Sequence, residues 1–125
     1  MSEVVEKFIA MVEANQHIAA VEQFYADNAT IRDNQSAEIR DKNKQIANEK
    51  RLLMTVDKMY SHCIRPYFVA DNCVVIKWNF RFEFKNSTFI DIEEVAWQKW
   101  ENGKIITEQF FFDPKQFVPK PLDQA

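Results

Sequence analysis

Glycine is almost missing from this 125-residue chain, with Gly103 the single copy. Loops that cradle a phosphate or a dinucleotide need several glycines at fixed spacing, so those binding fingerprints are excluded. Cysteine is scarce too. Cys63 and Cys73 form no CxxC pair. Together with His17 and His62 they do not offer the closely spaced ligands of a structural zinc site. No metal and no organic cofactor is expected. The two thiols read as reduced, buried strand residues, which fits a cytoplasmic protein. His17 falls in a break between two helical segments and is expected to be exposed. His62, alone on a strand, is expected to be structural or solvent-facing. No Ser-His-Asp pattern at usable spacing is present.

Charge of one sign is lacking as well. The net charge is −3, with no block of like charges. The short cluster Arg40, Lys42, Lys44 is interleaved with Asp41 and Asn43 and reads as a solvated helix start. Neither nucleic acid nor an anionic membrane is expected as a partner. No apolar run reaches transmembrane length. The start, "MSEVVEKFIAMVEANQ", is interrupted by Glu3, Glu6 and Glu13, so it lacks the unbroken apolar core of a signal peptide.

Apolar mass is abundant. Hydrophobic residues make up 46% of the chain and eleven are Phe. That suffices for a single well-packed core. Val4, Phe8, Met11, Val12 and Asn15 recur at helical spacing. A short second helix carries Ile18, Val21 and Tyr25 on its inner side. "ATIRDNQ" reads as a short strand and "SAEIR" as a loop. Asp41 is placed to cap a third helix, running from about Lys42 to Lys58 with Ile46, Leu53 and Val56 inward.

From Tyr60 onward the period becomes two. In "VVIKWNFRFEF", Val74, Ile76, Trp78, Phe80, Phe82 and Phe84 share one face. "TFIDIEEVAWQKW" is the next strand, and "ENGK" a hairpin in which Gly103 can take a positive φ. "IITEQFFF" is the last long strand. The prolines of "VPKPLDQA" are expected to keep that tail irregular. Helices followed by antiparallel strands imply an α+β fold, with three helices packed in the concave face of a strongly curved sheet. The open end of such a cone is a natural seat for a small molecule.

Strand parity assigns the faces of this cone. Ile90, Ile92, Glu94, Ala96, Gln98 and Trp100 form the more apolar face of their strand and are taken as concave. Ile106, Glu108, Phe110 and Phe112 share a face of the last strand, against Ile105, Thr107, Gln109 and Phe111. The candidate ligand contacts are therefore Phe8, Trp78, Phe80, Phe82, Gln98, Trp100, Phe110 and Phe112, and the ligand a small, largely apolar molecule. Lone carboxylates on apolar faces are costly unless paired or protonated. Glu94 and Glu108 should have raised pKa values, which suits acid–base work. Tyr25, Tyr60 and Tyr67 are hydroxyl donors of undetermined direction. On the convex face, Phe89, Val95, Trp97 and Phe111 form an apolar patch, which predicts a homodimer anchored by Trp97 and Phe111.

The string "FYADNATIRDNQSAEIRDKNKQI", the hairpin "WQKWENGKI" and the closing "EQFFFDP" together resemble the nuclear transport factor 2-like superfamily. Within it, the chain looks most like SnoaL-like proteins and ketosteroid isomerases. The resemblance implies a cone-shaped, cystatin-like α+β barrel, with one domain over residues 1–118 and a proline-containing tail over 119–125. It also implies that Asp33 is a proton-shuttling general base. In ketosteroid isomerases two acidic donors hold the enolate oxygen. Their positions match Phe8 and Ala96, which have no such donor, so ketosteroid isomerisation itself is not expected. Glu94 or Glu108, if protonated, could replace them. SnoaL-like proteins include cyclases, epoxide hydrolases, dehydratases and members without known activity. An isomerase, cyclase, dehydratase or hydrolase working through Asp33, Glu94 and Glu108 is one reading. A non-catalytic ligand binder and a dimeric interaction module are the others.

Overall fold

A computed structural model describes residues 1–124. Two helices, α1 (Ser2–Glu13) and α2 (His17–Phe24), lead into strands β1 (Tyr25–Asp33) and β2 (Ile39–Asp41). Helix α3 (Lys42–Thr55) follows, then β3 (Val56–Ala70), β4 (Cys73–Phe84), β5 (Thr88–Glu101), β6 (Lys104–Phe111) and a short β7 (Lys120–Pro121). A 3-10 turn, Pro114–Phe117, lies between β6 and β7. The strands form one seven-stranded sheet in the order β2-β1-β6-β5-β4-β3, with β7 pairing with β5. Every pair is antiparallel except β1 with β6. The sheet is a half-barrel that does not close, because β2 and β3 are left as its two ends.

Local chemistry sets the elements. Helix α1 has no Pro or Gly and buries Val5, Phe8, Ile9 and Val12. Val5 and Ile9 complete a stripe whose other members were visible at helical spacing. Asp41 caps α3, its Oδ1 accepting from the Lys44 amide at 2.8 Å. The two-residue hairpin turn has Asn102 at φ 53° and Gly103 at φ 73°. That pair of positive angles matches the right-handed twist of the strands it joins. Along β4, Val74, Ile76, Trp78, Phe80 and Phe82 are all buried, as the period of two requires.

Phe8 is the hub between helices and sheet. Its ring meets Phe24 at 5.6 Å, Trp100 at 5.8 Å and Trp78 at 6.3 Å, each between centroids. Burying one such side chain contributes about 1.5–3 kcal/mol, and these edge-on contacts fix how α1 sits in the sheet.

Several expectations are corrected. "SAEIR" is no plain loop, since Ile39–Asp41 pairs with β1. The tail contains the short strand β7, whose Lys120 and Pro121 pair with Phe89 and Thr88. Proline is tolerated there because the strand is a short edge with solvent on one side. Ala125, the last residue of that tail, lies outside the described residues. The register of β5 and β6 shifts so that Trp100 pairs with Ile105. This bulge turns Ile105 inward to full burial and leaves Ile106 half-exposed, reversing the parity assigned to that pair. Cys63 is buried as expected, but Cys73 is only partly covered. No helix is long and apolar enough to cross a membrane.

Candidate functional site

The cone encloses a cavity of about 440 Å³. Trp78, Phe80 and Phe82 line its sheet side as a ladder, with successive ring centroids 5.4 and 6.1 Å apart. Every second residue of β4 faces inward, so one strand supplies the whole ladder. Phe8, Phe110 and Phe112 also line it, as expected. Phe117 closes one end, its ring 5.0 Å from that of Phe112. The Pro114–Phe117 turn is held in place by Gln116, which exchanges two hydrogen bonds with the backbone of Glu93.

Asp33, Glu94 and Glu108 come together on this cavity. Asp33 ends β1 at the mouth, and its side chain is 42% exposed. Arg40 of β2 grips both oxygens, with Nη1 2.9 Å from Oδ2 and Nη2 donating to Oδ1 at 3.1 Å. Arg40 also donates from Nε to Gln45 Oε1. The expected solvated basic cluster is therefore corrected. Arg40 is a clamp, and Lys42 donates to the carbonyls of Glu22 and Tyr25. The short β1–β2 ladder brings Arg40 opposite Ile31, beside Asp33.

Glu108 is fully enclosed. It accepts from the Tyr25 hydroxyl on one oxygen and from Gln98 Nε2 at 2.6 Å on the other. Gln98 in turn accepts from Trp100 Nε1 at 2.9 Å. Burial pushes the Glu108 carboxyl up to about 7, while the Tyr25 and Gln98 donors and Arg40 pull it back down. The Tyr25 hydroxyl is itself raised, by burial first and then by the Glu108 charge. Gln98 and Trp100, expected to touch a ligand, lie beneath the cavity wall, both at 0% exposure. They hold Glu108 from behind, because the unpaired amide and indole N–H would otherwise be buried without partners.

Glu94 differs in kind. It faces the cavity from β5, and among the described residues its carboxyl has no hydrogen bond. Burial pushes it up to about 8, and the nearby charges of Glu108, Glu49 and Asp33 push the same way. At neutral pH it is therefore mostly a protonated acid with its O–H facing the cavity.

Tyr25, His17, Gln45 and Glu49 line the cavity and were not named as site residues from the sequence. Tyr25, expected on the inner side of the second helix with its hydroxyl unassigned, is buried at the start of β1 and its hydroxyl donates to Glu108. It shares odd-numbered parity with Ala29, Ile31 and Asp33, which was a usable signal. His17, expected to be exposed, is 8% exposed and packs edge-on against Phe80 at 5.2 Å. Gln45 and Glu49 of α3 line the cavity with Leu52. Their i, i+4, i+7 spacing was legible, but attention to apolar positions hid two polar members. His62 is outside this site, with a largely exposed ring 3.5 Å from Glu13. Among the described residues, no three His, Cys, Asp or Glu side chains gather into a metal-holding group.

The family model described as "SnoaL-like domain" matches residues 1–112. No curated protein matches the sequence. Solved structures share the fold at low identity. A candidate SnoaL-like polyketide cyclase from Mesorhizobium loti is 16% identical with a TM-score of 0.72, over 89% of this chain and 97% of that one. An LEH-like epoxide hydrolase from M. tuberculosis is 14% identical with a TM-score of 0.71, over 91% of this chain and 83% of that one. A ketosteroid isomerase-like protein from Catenulispora acidiphila, in complex with trimethylamine, is 13% identical with a TM-score of 0.70, over 89% of this chain and 85% of that one.

Proposed function

The chain belongs to the SnoaL-like family, and from that premise we propose that its cone receives a small, largely apolar molecule and moves a proton on it without a cofactor. The observation that carries this reading is one pair of acids in one aromatic cavity. Asp33 is gripped by a guanidinium, while Glu94 is held as a neutral acid by burial. A carboxylate paired with a cation and a carboxyl kept neutral by burial divide the roles of base and acid between them.

In this reading Asp33 takes a proton from a carbon next to a polarised group. Glu94 donates a hydrogen bond to the oxygen that gains charge. Its O–H thus supplies the donor absent at Phe8 and Ala96. Glu108 is the weaker candidate for that part, because both its oxygens are already occupied by donors. It shapes the floor beneath Glu94 and keeps Tyr25 in place. The aromatic ladder excludes water and orients a flat apolar body. Solved structures with the same fold include one named an epoxide hydrolase and one named a candidate polyketide cyclase.

Deuterium exchange tests this without knowledge of the natural substrate. A compact ketone such as 2-tetralone is incubated with the protein in deuterium oxide, and loss of the α-proton signal is followed by NMR. The reading expects exchange above the buffer rate, reduced about 100-fold or more by Asp33→Asn, the usual scale for a positioned base. One observation favours a second reading, a binder without chemistry. Arg40 occupies both Asp33 oxygens and must release one before that oxygen can take a proton. In that case tetralone binds and its protons do not exchange.

The outer face carries a separate proposal, a homodimer. Trp97 is 54% exposed there and Phe111 is half-exposed beside it. Phe89 does not join the patch, since the Arg81 guanidinium covers its ring at 4.3 Å.

A further inference from the structure

A chain of polar contacts runs along the helical wall of the cavity and is broken at one place. From the mouth, Arg40 grips Asp33 and donates to Gln45 Oε1 at 2.6 Å. That contact fixes the Gln45 amide, because arginine can only donate. Gln45 Nε2 therefore points onward, donating to Glu49 Oε1 at 3.0 Å. From the other end, Asn15 Nδ2 donates to the Met59 carbonyl at 3.0 Å, which fixes that amide as well. Asn15 Oδ1 then accepts from the Ser61 hydroxyl at 2.7 Å. With its proton so committed, Ser61 Oγ accepts from His17 Nε2 at 2.8 Å. One ring proton is thus assigned to Nε2, and in the neutral ring Nδ1 is then the acceptor nitrogen.

With the ring neutral, both halves arrive at the same gap with an acceptor. Glu49 Oε2 and His17 Nδ1 are 3.7 Å apart, beyond the reach of about 3.2 Å for a good hydrogen bond. Glu49 Oε2 is, among the described residues, the one buried side-chain polar atom with no partner. Both residues line the cavity, and the His17 ring rests edge-on against Phe80.

We propose that this gap is a docking point for a hydrogen-bond donor on the ligand, an N–H or O–H that bridges His17 Nδ1 and Glu49 Oε2. The inference rests on the reading that the cone holds a small molecule, and it narrows that molecule. It carries a donor head on an apolar, flat body that lies along Trp78, Phe80 and Phe82. A hydroxyl and an ammonium share this chemistry, and the ammonium adds charge attraction to Glu49 and to the ring faces.

The test is a binding series read by fluorescence of Trp78 in the cavity wall, using toluene, benzyl alcohol and benzylamine at neutral pH. These probes have nearly the same apolar body and differ in the donor. The inference expects benzyl alcohol, benzylamine or both to bind about ten-fold tighter than toluene, the scale of one hydrogen bond to a charged group. A larger gain for benzylamine identifies the ammonium as the preferred source. Glu49→Gln is then expected to abolish the preference. Gln45 still demands an acceptor at one end of the new amide, so its NH₂ turns into the gap and faces His17 as a donor. Thermal melting checks that this variant is folded, and the wild-type series decides the matter without it. Toluene binding as tightly as the donor probes would overturn the docking point while leaving the cavity reading intact. Binding of no probe at all would overturn both.

Discussion

Replacing Glu94 with Gln should stabilise the protein at high pH and do almost nothing at pH 3.5. Glu94 has an ordinary value of 4.5 in the unfolded chain and about 8 in the folded one. Below pH 4.5 both states carry the proton and the difference is nil. Between 4.5 and about 8 the unfolded chain loses its proton while the fold keeps it. Folding then takes up a proton, so stability falls as pH rises through this window. Above about 8 both states are ionised and the full penalty is present. One pKa unit corresponds to about 1.36 kcal/mol, so the penalty is about 5 kcal/mol at most. Water entering the open mouth and relaxation around the charge reduce it, to about 2–3 kcal/mol. Glutamine has the same shape and cannot ionise. Urea denaturation of both proteins from pH 3.5 to pH 9 should give curves that coincide at the acid end and separate by that amount at the alkaline end. Parallel curves across the whole range would refute the raised Glu94 and with it the neutral acid in the cavity.

Other perturbations have defined outcomes. Tyr25→Phe removes one donor from buried Glu108, and should cost about 1–3 kcal/mol in a denaturant melt while moving the Glu108 titration above about 7. Phe8→Ala opens a hole among Phe24, Trp78 and Trp100 and should cost about 3–5 kcal/mol, read as a lowered urea midpoint. For the proposed dimer, sedimentation should show a two-chain species at micromolar concentration that Trp97→Lys converts to monomer. A wild-type monomer under those conditions ends that idea.

The sheet was the most legible part of the sequence. An alternation such as that from Val74 to Phe84 leaves little choice of face, and it located the aromatic ladder and the inward carboxyls together. Parity fails wherever a strand gains a residue, which is why Ile105 and Ile106 exchanged faces at the bulge. The structure places Asp33 and Glu94 on the cavity, but the Arg40 clamp on Asp33 was not foreseen. Arg40 looked like a solvated helix start, because nothing local reveals that the strand before it folds back onto β1. His17 looked exposed because a polar break between helices is usually at the surface. Its burial depends on Ser61, Phe80 and Glu49, which are far away in sequence. Gln98 and Trp100 were assigned the right face and the wrong depth, since parity carries no information about which inward side chains are covered by others.

The central claim is that this cavity holds acids with raised pKa values beside the Arg40-gripped Asp33. Carboxyl-selective ¹³C NMR of the folded protein, with Glu94 and Glu108 assigned through their Gln variants, measures this directly. The account predicts that Glu94 titrates at about 8 and Glu108 at about 7. Titration of both near 4.5, the value of an ordinary solvated glutamate, would contradict it.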